Sequence, residues 1–408
     1  MISIQKIQYK WVICLAGFLL MFCSGMVTGG FSVYLPYLRE EYGSSNTQIS
    51  LLLTVRCVAS TLAMLAVERY YQRFSLRLGS TLAILMLAAG FFSFAAIPAY
   101  WGGCVGFILL GAAYGFGAMV PVSLLIRRWF DGGQGFALGI CTTGSGLATV
   151  LITPLLASLL ERHSVCAVFS LEGIGTMAIA ALIFLMVRGA PKPDGKVGCP
   201  EGGEASRDAG SGEAFAGPGF WWMALAVMIL GSAAGNGPAY FAIRFQERGF
   251  SPTLSAYAIS TCGGLLMIGK CVYGLLTDRW GARRTNALFL VTLGAGMAVC
   301  ALLPEGSAWM MFLGAALVGI GFPPATVGLT VWAMDLAPRE QQEATMERFQ
   351  TFYVVGNLFT SFLPGLLADW SGSYALTYGI YAVSSLVILV IVQRQYALRR
   401  VGEETGAF

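Results

Sequence analysis

Apolar residues along this chain neither alternate with polar ones at the spacing of a strand nor keep to one stripe of a helix. They fill long stretches, with glycine and other small residues scattered all round. A helix needs ~20 such residues to cross the ~30 Å hydrocarbon core of a bilayer. The stretches predict spans at about 11–38, 47–67, 79–98, 101–126, 134–160 and 164–187, then at about 219–246, 253–277, 285–303, 307–333, 345–368 and 374–393. The predicted fold is therefore all-α and integral to the membrane, with 12 transmembrane helices in two pseudo-symmetric six-helix halves. That arrangement suits a machine that moves a solute across a bilayer.

Between the sets, residues 189–218 read GAPKPDGKVGCPEGGEASRDAGSGEAFAGP. This Pro/Gly/Ser-rich composition predicts a mobile cytoplasmic linker joining an N-terminal half, 1–188, to a C-terminal half, 219–408. Short internal matches support duplication. EYGSSNTQIS at 41–50 resembles ERGFSPTLSA at 247–256, and VERYYQR at 67–73 aligns with TDRWGAR at 277–283. The second match sets Glu68 opposite Asp278 and Arg69 opposite Arg279. Pro154 and Pro364 open similar apolar runs.

Composition narrows the class further. Hydrophobic residues make up 56% and charged residues 11% of the chain, and the mean hydropathy of +0.70 does not fit a soluble domain. If the N-terminus is cytoplasmic, the outer side keeps only Arg39, Arg162, Arg244 and Arg248, and nearly all other Lys and Arg fall inside. Both termini are then cytoplasmic, and a multi-pass plasma-membrane (cell inner membrane) location follows. The net charge of +4 reads as membrane orientation and calls for no nucleic-acid partner. The apolar run after Lys6 and Lys10 continues to Leu38 without a cleavage-like site, which predicts an uncleaved first helix. The ten cysteines are scattered singly and the one histidine is His163, so no metal site, cofactor or enzyme is expected. No nucleotide-binding G-x-x-x-x-G-K-[ST] run occurs.

GLLTDRWGARR at 274–284 is the sharpest motif. Gly274 is expected to allow close helix approach. Asp278 lies at a helix end among Arg279, Arg283 and Arg284, with Gly281 between, so charge pairs there can latch and release one side of the membrane. In the first half Met64 and Tyr71 replace the two glycines. Through this motif nearly the whole chain resembles the major facilitator superfamily. Gly111, Gly115, Gly117, Pro121, RRWF at 127–130, GFALGICTTGSGL at 135–147 and Pro154 resemble its monocarboxylate-transporter and oxalate/formate-antiporter branch. These glycines are expected to thin the faces of the fourth and fifth helices so that the hairpin partners approach closely. Lys270 matches a position where the branch often places a substrate-binding Arg. Other positions depart: Gln134 stands for Arg, Gly29 and Gly30 for a first-helix Lys, Val355 and Gly356 for an eleventh-helix Lys, and Leu266 for an eighth-helix Asp. The resemblance implies alternating access, and a monomer.

Three ionisable side chains fall well inside spans: Arg56, Lys270 and Glu172. Each costs at least ~2.5–3.5 kcal/mol at the bilayer centre, which makes a functional reading the default. Arg56 and Lys270 belong to the second helix of each half, which in this family lines a central cavity. Two cations there would attract a carboxylate; the alternative is neutralisation by backbone carbonyls. Glu172, in the sixth helix, reads as a buried structural carboxyl, with proton coupling as the alternative. Tyr34, Tyr114, Asn236, Tyr240, Tyr353 and Asn357 are candidates for orienting a small ligand. Pro323 and Pro324 are expected to kink the tenth helix as a gate. Function is read as secondary transport of a small organic anion, coupled to protons or a counter-anion. The alternative is a proton-linked exporter of a drug-like or other small metabolite.

Overall fold

The computed structural model describes residues 2–97, 99–130, 134–187, 218–338 and 341–404, with no strand among them. Six membrane-length spans occupy the first half: α1 Tyr9–Glu41, α2 Asn46–Arg73, α3 Leu76–Ala96, α4 Tyr100–Trp129, α5 Ala137–Leu160 and α6 Val165–Met186. The second half holds α7 Gly219–Gln246, α8 Pro252–Trp280, α9 Ala282–Ala301, α11 Ala344–Ser371 and α12 Ala375–Arg399. Two shorter apolar helices, Ala308–Gly321 and Val327–Leu336, make up α10. The fold is thus the expected all-α membrane architecture of 12 spans. The chain forms two compact units, Met1–Gly203 and Glu204–Phe408. The linker read at 189–218 lies, Pro218 apart, outside the described residues.

Tryptophans mark the ends of the spans. Trp101 and Trp309 open α4 and α10, Trp370 closes α11, and all three are well exposed. Trp11, Trp221 and Trp222 open α1 and α7, and Trp280 closes α8. Amphipathic indoles at both span ends are what two water–lipid interfaces select.

Serine caps start the helices, and they fix the register of the internal repeat. Ser45 caps α2 in a capping box with Gln48, and Ser251 caps α8 ahead of Pro252. Just upstream, Gly43 and Gly249 both take positive φ, +56° and +79°. Gly43/Gly249, Ser45/Ser251 and Arg77/Arg283 keep one common separation along the chain. Arg77 donates from Nε to the Phe184 carbonyl of α6 (2.7 Å), and Arg283 donates from Nε to Gln393 of α12 (2.9 Å). Each therefore ties the third span of its unit to the sixth. Because α2 and α8 run without interruption, this register sets Asp278 opposite Gln72 and Arg279 opposite Arg73. The pairing of Glu68 with Asp278 and Arg69 with Arg279 was one helical turn out.

The glycines of α4 and α5 do serve close packing, but with other partners than expected. A Cβ at Gly111 or Gly115 would strike the α2 backbone at Arg56 and Ser60, and one at Gly144 would strike Phe18 of α1. The close pairs are α2–α4 and α1–α5, not the α4–α5 hairpin. At Gly139 and at Gly274 an added Cβ would meet nothing within 4 Å, so the close approach read at Gly274 is absent.

Five spans are interrupted. Span α1 breaks after Thr28 into the 3-10 turn Gly30–Val33, and α7 breaks at Gly237–Tyr240. Pro323–Ala325 splits α10, where the sequence predicted a proline kink. Span α4 also breaks, at Ala118, and α11 breaks between Thr360 and Leu363.

Candidate functional site

Arg56 and Lys270 straddle the centres of their helices. Arg56 lies ~5 Å from the middle of α2 toward its N-terminal end, and Lys270 lies ~6 Å from the middle of α8 toward its C-terminal end. The two cations differ in their surroundings. Arg56 is half-buried, and its Nη1 donates to the Val27 carbonyl at 2.5 Å. Val27 sits in the last turn of the helix Ile2–Thr28, where carbonyls lack intrahelical donors and a cation meets the negative end of the helix dipole. Arg56 therefore caps the break in α1, with most of its guanidinium donors still unspent. Tyr114 of α4 lies within electrostatic reach of the same guanidinium. Lys270 is exposed and makes no hydrogen bond or ion pair with the described residues. The backbone-carbonyl partner is thus present for Arg56 and absent for Lys270.

The remaining polar candidates are engaged inside their own units. Tyr34 is buried, stacks on Phe169 with ring centroids 4.2 Å apart, and donates to Glu172 Oε2 at 2.7 Å. Phe31, Phe94 and Phe107 complete an aromatic cluster around this pair. Tyr240, at the equivalent place in the second unit, donates to the Ser361 carbonyl (2.8 Å) and stacks on Tyr374. Asn236 donates to the Asn357 carbonyl (3.2 Å) and to Thr360 Oγ1 (3.1 Å), bridging the breaks of α7 and α11. Tyr353 is half-buried, with its backbone against Gly231. Asn357 Oδ1 is buried and accepts no hydrogen bond from the described residues. It offers a lone acceptor close to the α7 break, suited to a donor rather than to a carboxylate.

Because the Tyr34–Glu172 pair is closed in by rings, Glu172→Gln is expected to preserve transport and its pH profile, since an amide oxygen accepts from Tyr34 equally well. Tyr34→Phe leaves a buried acceptor unmet and is expected to lower stability by about 1–3 kcal/mol. Thermal unfolding and a pH series of uptake read both. A flattened pH profile in Glu172→Gln would instead identify a proton carrier.

The GLLTDRWGARR segment ends α8 at Gly281, whose φ of +79° a side chain would strain. Asp278, Arg279 and Arg284 are exposed and form no ion pair among the described residues, so the charge latch is not closed within this unit. In the first unit Ser75, which caps the next helix, stands in the register of Gly281, and Tyr70 and Tyr71 lie in the last turn before it. Tyr70 donates to the Gly79 carbonyl (2.8 Å) and Tyr71 to the Phe116 carbonyl (2.7 Å), while Tyr70 stacks on Phe116. Two tyrosines thus brace the turn that the motif glycine makes in the second unit. Glu68 is exposed and bonds Gln72 within its own helix (3.2 Å); Arg69 is exposed beside it.

Arg244, counted among the outer-side cations, does not reach water. It is 0% exposed, inside the last turn of α7. Its guanidinium donates to the Cys300 and Ala301 carbonyls at the end of α9 (3.0 and 2.8 Å), to Ser373 Oγ (3.1 Å) and to Glu247 (3.3 Å). Glu247 in turn accepts from Ser373 Oγ and the Tyr374 backbone N–H. No group of three or more His, Cys, Asp or Glu side chains that could hold a metal ion occurs among the described residues.

The model of the Major Facilitator Superfamily matches residues 17–272 and 237–405. Monocarboxylate transporter 12 of Rattus norvegicus is 22% identical over 93% of this chain and 85% of its own length. Agnestins efflux protein AgnL12 of Paecilomyces divaricatus is 22% identical over 71% of this chain and 65% of its own length. Among solved structures, a bacterial homolog of the human lysosomal transporter Spinster superposes with a TM-score of 0.74, covering 96% of each chain at 16% identity, a likeness of fold.

Proposed function

The chain belongs to the Major Facilitator Superfamily, and we propose that it is a secondary transporter of a small organic anion, a mono- or dicarboxylate, working by alternating access. Lys270 carries this reading. Its ammonium is held in mid-span, exposed, with no partner among the described residues. Keeping such a charge there costs at least ~2.5–3.5 kcal/mol, which a solute of opposite sign offsets when it docks. Arg56 supplies a second cation with spare donors in the forked geometry that matches a carboxylate. The likeness to a monocarboxylate transporter agrees in charge class. Coupling is to protons or to a counter-anion. The Lys and Arg distribution supports a plasma-membrane location with both termini cytoplasmic, and the family resemblance a monomer.

A second reading, proton-linked export of another small metabolite, is favoured by the likeness to an efflux protein. Counterflow in proteoliposomes separates the two, using a panel of labelled mono- and dicarboxylates beside amino acids, sugars and nucleosides. Carboxylate accumulation that competing carboxylates inhibit is the expected result. Counterflow of neutral solutes alone would remove the anion reading and leave the exporter.

A further inference from the structure

The α1–α5 seam brings two thiols together that the transport reading does not use. Cys14 Sγ and Cys141 Sγ lie 3.8 Å apart, both buried, in helices separated by 127 residues of chain. Cys141 Sγ lies 3.4 Å from the Cys14 carbonyl, and Cys14 Sγ lies 3.7 Å from the Ala137 carbonyl, so each thiol reaches across to the other helix. The backbones are close because side chains are missing where they meet. Cys141 Sγ sits 2.8 Å from where a Cβ of Gly17 would be, and Gly144 rests on the Phe18 backbone. A disulfide needs a Cβ–Cβ separation of about 3.5–4.5 Å and a sulfur–sulfur bond of about 2.05 Å. Closure draws the two sulfurs together from 3.8 Å and gives up only weak S–H hydrogen bonds.

We propose that Cys14 and Cys141 are a redox-modifiable dithiol that closes to a disulfide stapling α1 to α5 when a small membrane-permeant two-electron oxidant reaches the seam. With a diazenedicarboxamide as oxidant, one cysteine sulfur adds to the N=N bond, and one nitrogen takes up a proton. The second sulfur attacks the first, forming S–S and breaking S–N, and the other nitrogen takes the second proton. The two thiols lose two electrons in all, and the reagent leaves as the hydrazine.

The test uses the full chain in detergent. It is treated with the diazenedicarboxamide, intact mass and thermal unfolding are recorded, and peptide maps are taken after the remaining thiols are alkylated. The expected result is a loss of two hydrogens, a Cys14–Cys141 linked peptide that a phosphine reverses, and an unfolding midpoint raised by several degrees. The rise follows from closing so long a loop. Cys14→Ser and Cys141→Ser are each expected to abolish the link and the shift. Making both variants covers the case in which one fails to fold. An unchanged intact mass, a link to any other cysteine, or a two-hydrogen loss that persists in the variants would each overturn the assignment.

Discussion

Lys270→Gln is expected to lower carboxylate counterflow at least about tenfold while leaving the thermal unfolding midpoint unchanged. The stability half of that expectation follows from geometry: the ammonium is exposed and holds no partner among the described residues, so its removal breaks no contact. The transport half follows from charge. A hydrogen bond to a charged group contributes about 1.5–3 kcal/mol, which converts to roughly 10- to 150-fold. Lys270→Arg keeps the charge at the same depth and is expected to retain most activity. Arg56→Gln behaves differently, because it loses both a cation and the cap on Val27. It is expected to lose counterflow and some thermal stability together. Uptake by Lys270→Gln at the parent rate, with carboxylates still the transported solutes, would refute the docking role.

Much of the fold was legible because hydrocarbon imposes simple terms. Long apolar stretches announced the spans, and Pro323 and Pro324 announced the break in α10. The break at Ala118 carries no proline at the break itself and a continuous apolar pattern conceals it, whereas Pro364 follows the α11 break and was read only as part of the repeat. The repeat was recognised but set one turn out at its inner end. A slip of ~4 residues nearly completes a turn of 3.6, so Glu68 and its true counterpart lie on the same helix face. Only the serine caps and the Arg77 and Arg283 ties, which are contacts in space, fix the register. The tyrosine brace was missed for the same reason. Tyr71 was seen as a lost glycine, whereas the structure shows a hydroxyl holding the Phe116 carbonyl.

Among the polar candidates, the sequence named residues that do lie at span breaks but could not say which were already engaged. Tyr34, Asn236 and Tyr240 have partners within their units, while Lys270, the unspent donors of Arg56 and the Asn357 oxygen have capacity to spare. Depth in a span is readable from spacing. Satisfaction of a donor is a property of neighbours far away in the chain.

Arg244→Ala is expected to destabilise the second unit by about 2–6 kcal/mol, because two carbonyls that the fully buried guanidinium caps are left unmet at about 1–3 kcal/mol each. For a unit of this size that corresponds to a fall of about 10 °C in the unfolding midpoint. The substitution removes the donors to Cys300, Ala301, Ser373 and Glu247 at one stroke. Two carbonyls at the end of α9 then lack their cap, and Glu247 keeps only Ser373 and the Tyr374 backbone. An arginine near a span end ordinarily extends to water along its aliphatic stem. Here three helix ends converge on it and their unpaired oxygens retain it. The first unit supplies the control. Leu38 occupies the register of Arg244 and is buried, while Glu41, in the register of Glu247, is exposed. Arg244→Leu is therefore still expected to destabilise, because it leaves the Cys300 and Ala301 carbonyls unmet and Glu247 without its cation, whereas Arg244→Leu with Glu247→Gln is expected to recover part of the loss. Scanning fluorimetry of the detergent-solubilised protein measures all three, and an Arg244→Ala midpoint within a degree of the parent would show that the network is not what joins α7, α9 and α12.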